Sequence, residues 1–228
     1  MAIPDLGSVA LAVGALGTAS FALVDATKIG RKGGISNSGF GFIEEAVHEF
    51  LPPSNIGPGE SDRLLSMLHG HWINGSALAD QKAIAKSLVK LKLTPDTAAD
   101  YARATSVDPQ ALTEVARNMV TGEPLSTQQA NALGRFDLAL TARLDEAYQR
   151  ADQKYRNSAK LLASIVAVVL ALIGGWTVAS AAGREFMGTA EMAIAVLCGL
   201  LAIPLAPISK DLASALQAGV KVAQSVRK

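Results

Sequence analysis

The sequence predicts an all-α protein with three membrane-spanning helices, a cytoplasmic helical bundle, and one long helix continuous from cytoplasm into bilayer. Three observations carry this. The 228 residues are 50% hydrophobic and only 18% charged, with a mean hydropathy of +0.27, which is oily for a chain surrounded by water and excludes intrinsic disorder. The excess is gathered into three uncharged runs. Between the first and second runs, helix start signals are frequent while the alternation expected of strands is scarce.

The first run, Leu6 to Val24, lies between Asp5 and Asp25 and holds 19 residues without a charge. As a helix it would reach about 28 Å, close to one hydrocarbon core. Residues 1–25 are therefore read as the first span. A cleaved signal peptide is the competing reading, but residues 1–5 carry no Lys or Arg and no small-residue cleavage site follows.

Residues 26–158 read as the cytoplasmic helical domain. Counted over 26–159 there are 15 basic and 15 acidic residues, so no field attracts nucleic acid or an acidic substrate. The opening KIGRKGGISNSGFGF reads as a flexible juxtamembrane connection, and PPSNIGPGE breaks the chain again after FIEEAVHEFL. Ser61, then Ser76 and Asp80, can open helices through LLSMLHGHWI and IAKSLVKLKL. Thr94–Pro95 and Asp108–Pro109 have the pattern of an N-cap followed by proline at the first helical position. Five or six helices are expected.

The last of them begins near Ser126 and meets no Gly or Pro between Arg135 and the membrane. Leu133, Phe136, Leu140, Leu144, Ala147, Ala151 and Tyr155 recur at a mean spacing of about 3.67 residues, the period of a nearly straight helical stripe. One helix over about 127–182, roughly 80 Å long, is predicted to run into the second span.

Residues 159–209 read as a transmembrane hairpin. LLASIVAVVLALIGGWTVASAAG supplies 23 uncharged residues between Lys160 and Arg184, with Trp176 suited to the headgroup level. MAIAVLCGLLAIPLAPIS supplies 18 more, and Pro204 and Pro207 predict a bend near its end. Residues 210–228 read as an amphipathic cytoplasmic tail, with Leu212, Leu216 and Val220 four apart. Lys28, Arg31 and Lys32 follow the first span, Arg150, Lys154, Arg156 and Lys160 precede the second, and Lys210, Lys221, Arg227 and Lys228 follow the third. The opposite ends offer only Arg184, so the positive-inside rule puts the N-terminus and the 184–191 turn outside.

Chemistry is sparse. Glu44, Glu45 and Glu49 surround His48, and Glu45-x-x-His48 places both groups on one helical face, but a di-metal site needs that motif twice and one copy exists. His69-Gly-His71 points two rings apart on a helix. Structural histidines are expected rather than a metal enzyme. A single cysteine excludes an internal disulfide framework and a multi-cysteine metal site, and no phosphate loop or nucleophile elbow is present. No catalytic, cofactor-binding or metal-binding residue is assigned, and no enzymatic activity or small-molecule substrate is expected.

Residues 100–118 have the order of a helix-turn-helix, yet the second helix sets Asp108 and Glu114 against Arg117 alone, too little positive charge for a groove. Lys82, Lys86 and Lys90 form an i+4 stripe that could meet anionic lipid, although a solvated helix face is the simpler expectation. No ionisable residue lies centrally in any run. Gly14, Gly17 and Ser20, then Gly174, Gly175 and Gly199, suit close helix contacts, with another copy or another membrane protein as partner.

The order of one span, a helical loop, a rising helix, a tight hairpin and a tail, with the segment Gly199-Leu200-Leu201-Ala202-Ile203-Pro204, resembles the MotA/TolQ/ExbB proton-channel subunits of bacterial inner membranes. The likeness covers topology and about six residues. The family's polar threonines have no counterparts, since Thr177 lies near the outer end and Thr189 precedes the third run, so no residue role is carried over. The leading expectation is an anchoring or assembly subunit of a bacterial inner membrane, and a proton-channel subunit is the alternative.

Overall fold

The computed structural model describes residues 6–27, 31–51 and 60–207. The described residues are 85% helical, and none of them forms a strand. In chain order the α-helices are α1 (Leu6–Ala26), α2 (Asn37–Phe50), α3 (Glu60–Ile73), α4 (Leu78–Leu91), α5 (Ala98–Thr105), α6 (Pro109–Thr121), α7 (Thr127–Ala181) and α8 (Ala190–Pro207). A 3-10 helix, Arg31–Ser36, precedes α2. Among the described residues three helices, α1, α7 and α8, are long and apolar enough to cross a membrane. The chain divides into two compact units, one made of residues 1–35 and 156–228, the other of 36–155.

The second unit has an interior like that of a water-soluble bundle. Phe40, Ile43, Val47 and Phe50 line one face of α2 at steps of three and four, and all are buried. On α7 the predicted stripe is the buried one: Phe136, Leu140, Leu144, Ala147 and Ala151 face the core, with Leu133 and Tyr155 packed at its edge. Tyr101 sits at the centre. Its ring stacks on Phe136 at 5.9 Å, meets Phe50 edge-on at 6.3 Å, and its hydroxyl donates to the Val89 carbonyl at 3.1 Å. Burial raises the Tyr101 phenol well above its usual range and pushes Tyr148 up to about 12, so both act as neutral donors.

Helix ends follow local chemistry in most places. The Asp108 carboxylate accepts from the Gln110 N–H at 3.1 Å with Pro109 at the first helical position, and Gly122 at φ 78° ends α6. α7 opens on a reciprocal capping box: the Gln129 N–H donates to Ser126 Oγ at 3.3 Å, and the Ser126 N–H donates to Gln129 Oε1 at 2.8 Å. It stops at Gly183, where the Arg184 N–H reaches back to the Ala179 carbonyl.

Three expectations are corrected. Within the Gly- and Ser-rich connection, residues 31–42 are helical rather than a flexible linker: 31–36 form the 3-10 helix and 37–42 open α2, where a Cβ on Gly39 would overlap the Ala151 carbonyl oxygen and crowd Trp72, so glycine serves a close helix crossing. Thr94–Pro95 forms a turn, and α5 begins after Thr97, whose hydroxyl donates to the Lys92 carbonyl at 2.7 Å. Ser76 does not cap α4. Ala77 holds that position, while the Ser76 carbonyl takes the buried Gln81 amide at 2.7 Å. Residues 28–30, the breaker 52–59 and the expected tail helix lie outside the described residues.

Candidate functional site

The first unit reverses the burial pattern of the second. Its inner faces are built from small residues: Gly14, Gly17 and Ser20 of α1, Ala159, Ala163 and Ala167 of α7, and Gly199, Ala202 and Ala206 of α8. A Cβ on Gly17 would collide with the Ala202 carbonyl, and one on Gly199 would press into Val168. The backbones therefore touch where side chains would otherwise hold them apart. Of the small residues singled out in the sequence, Gly17 and Gly199 make close backbone contacts within the chain. Gly174, by contrast, has open space where a Cβ would lie. The outer faces carry the large apolar side chains. On α7 these are Leu161, Ile165, Val169, Ile173, Trp176 and Val178, and on α8 Ile194, Leu197, Leu200 and Leu201, each roughly half exposed or more.

Four hydroxyls inside the candidate spans are satisfied locally. Thr18, Ser20, Ser164 and Thr177 donate their hydroxyls to carbonyls three or four residues earlier, at 2.8 to 3.1 Å. In a medium without water such bonds remove the cost of an unpaired hydroxyl. They also leave these hydroxyls without a spare donor for a mobile proton. The turn between α7 and α8 is closed by an Arg184–Glu191 ion pair, with Phe186 laid over Gly175.

In the second unit the lysine stripe is not an open solvated face. Lys82 binds Asp145 at 2.6 Å, and Lys86 and Lys90 both bind Asp137, at 2.7 and 2.8 Å. The two ammonium groups hold the Asp137 carboxyl below its usual range. Asp137 and Asp145 are eight residues apart on α7, the same two-turn step that separates Lys82 from Lys90 on α4. That matching spacing was the available signal, and the sequence reading missed it.

The histidines do not converge. His48 lies 3.8 Å from Glu44, with its Nδ1 buried and unpartnered. His69 Nε2 meets Asn37 at 2.8 Å, and His71 Nδ1 meets Ser76 at 3.3 Å. Among the described residues no three of His, Cys, Asp and Glu are grouped as metal ligands would be. Glu45 and Glu49 instead border a small groove with Arg143 and Arg150, where Glu49 pairs with Arg143 at 3.6 Å and Arg150 lies over the Phe42 ring. Residues 100–118 form a plain corner, in which Ser106 takes a left-handed conformation between α5 and α6. A cleft of about 630 Å³ beside it has Asp108 and Arg135 as its ionisable lining, and Asp108 is already occupied as the α6 cap.

Comparison with family models, with curated proteins and with solved structures gives no match.

Proposed function

We propose that this chain is an integral membrane subunit that anchors and assembles a complex in a bacterial-type inner membrane. The observation that carries the reading is the reversed burial of the first unit, with mainly glycine and alanine inside, beside Val24 and Phe186, and most leucine, isoleucine and valine outside, whereas the second unit buries several aromatics. An oily exterior of this extent is costly in water and costs nothing in lipid. The basic flanks favour a bundle and tail in the cytoplasm, with the N-terminus and the 184–191 turn outside. Partners, whether further copies or other membrane proteins, would dock on the outer ridges and at Gly174, because the small faces of α1 and α8 are used within the chain.

Ultracentrifugation of lysate without detergent should leave the protein in the membrane pellet, and a soluble chain would overturn the reading. Extracted in mild detergent, it should migrate with copies of itself or with identifiable partner chains. A clean monomer at native abundance would remove the assembly role.

A proton-channel subunit is the second reading, favoured by α7 running unbroken for 55 residues and by the span order it shares with the MotA/TolQ/ExbB proteins. It predicts proton flux in liposomes, in the presence of a single-span partner that supplies the missing ionisable group.

A further inference from the structure

Along the sequence, the basic residues of the first unit gather beside its apolar runs. Lys28, Arg31, Lys32, Arg156, Lys160 and Lys210 lie in the segments that follow α1, precede the apolar stretch of α7 and follow α8. In the turn between α7 and α8, the Arg184 guanidinium is paired with Glu191. α7 and α8 run antiparallel, since Gly199 closes on Val168 while Ala195 lies near Gly175. Lys160 is eight residues before Val168 and Pro207 eight after Gly199, so the two helices bring Lys160 and the end of α8 to one level.

Lys160 differs from the lysines of α4. It is exposed, and among the described residues its ammonium meets no carboxylate, whereas Lys82, Lys86 and Lys90 are all paired. The next residue begins a ridge of Leu161, Ile165, Val169 and Ile173 at steps of four, each between 48% and 67% exposed. Twelve residues of helix rise about 18 Å, slightly more than the roughly 15 Å of one hydrocarbon leaflet. A fixed cation at the foot of an apolar ridge one leaflet tall has the form of a phospholipid's complement.

We infer that this surface binds an anionic phospholipid, with the Lys160 ammonium on the phosphate and an acyl chain along the Leu161–Ile173 ridge. The inference rests on the membrane reading above. A single lysine at an anionic surface is worth roughly fivefold in occupancy.

The test is native mass spectrometry of the full chain in mild detergent, with phosphatidylglycerol and phosphatidylcholine added at equal concentration. The wild type should retain phosphatidylglycerol over phosphatidylcholine by about fivefold, and Lys160→Gln and Lys160→Glu should bring the ratio close to one. Arg117→Gln, at an exposed arginine of α6, should leave it unchanged, and circular dichroism should report the same helicity for all variants. Equal retention by the wild type, or an unchanged ratio in both Lys160 variants, would overturn the assignment. So would displacement of the lipid by glycerol phosphate at the same concentration, since that ligand has no chain for the ridge. A chain found soluble without detergent fails earlier, at the membrane reading itself.

Discussion

The two units obey opposite packing rules within one polypeptide. Residues 36–155 bury Phe50, Tyr101, Phe136 and Tyr148, and meet solvent with lysine, aspartate and glutamine. The first unit buries mainly glycine and alanine, with Val24 and Phe186 as its large buried side chains, and turns most of its bulk outward. Aromatic interiors follow where water is the solvent, because removing large apolar surface from water is the main favourable term. Where the solvent is already hydrocarbon that term vanishes, and what remains is close contact, which small residues permit. α7 carries both rules, with Phe136, Leu140 and Leu144 facing inward early and Ala163 and Ala167 facing inward late.

Substitutions can break that contrast. Phe136→Ala, at a fully buried ring stacked on Tyr101, should destabilise the bundle by about 3–5 kcal/mol, read as loss of the thermal transition in detergent. Ile165→Ala on the outer ridge should change that transition by less than about 0.5 kcal/mol. An apolar environment around the ridge makes a sharper demand. Val169→Asp should impair membrane insertion by about 3 kcal/mol, measured as the glycosylated fraction of a span reporter, whereas a half-exposed site in water would tolerate it.

Gly17→Leu should cost about 1–3 kcal/mol by forcing α1 away from the Ala202 carbonyl, while Gly174→Leu, with open space around it, should leave the fold intact. Intramolecular cross-linking of cysteines placed across the α1–α8 seam would separate the two outcomes. Asp137→Asn should have a modest effect, about 1 kcal/mol, because the pair with Lys86 and Lys90 is partly solvated. Its sign depends on pH. The folded carboxyl is held below its unfolded value, so its contribution is complete above about pH 4 and is lost as pH falls through the depressed folded value. The variant should therefore converge with wild type in acid melts and separate from it at neutral pH.

Legibility in the sequence tracked how local each signal was. The long helix was readable because its stripe repeats every 3.67 residues without a breaker, and Asp108–Pro109 was readable because a cap and its proline act within three residues. Gly39 was misread as a flexible position, since the carbonyl that demands a missing Cβ belongs to Ala151, more than a hundred residues away. A separation of about 50–60 residues likewise hid the partners of the lysine stripe, although Asp137 and Asp145 carried its period. Ser76 failed as a cap because Ala77 holds that position and the Ser76 carbonyl serves the Gln81 amide. At the histidines the sequence offered a possible cluster, and the fold gives each ring a separate neighbour.

The contact of Gly17 with Ala202 joins residues synthesised far apart in time. About 185 positions separate them, and at roughly 5–20 residues per second the ribosome needs on the order of 10–40 s to make the second after the first. In a bilayer, α1 would wait that long as a solitary helix, its bare glycine face covered by lipid or by a chaperone of the insertion machinery. Biogenesis, rather than the finished fold, is then the stage at which a bulky residue at position 17 does its first damage.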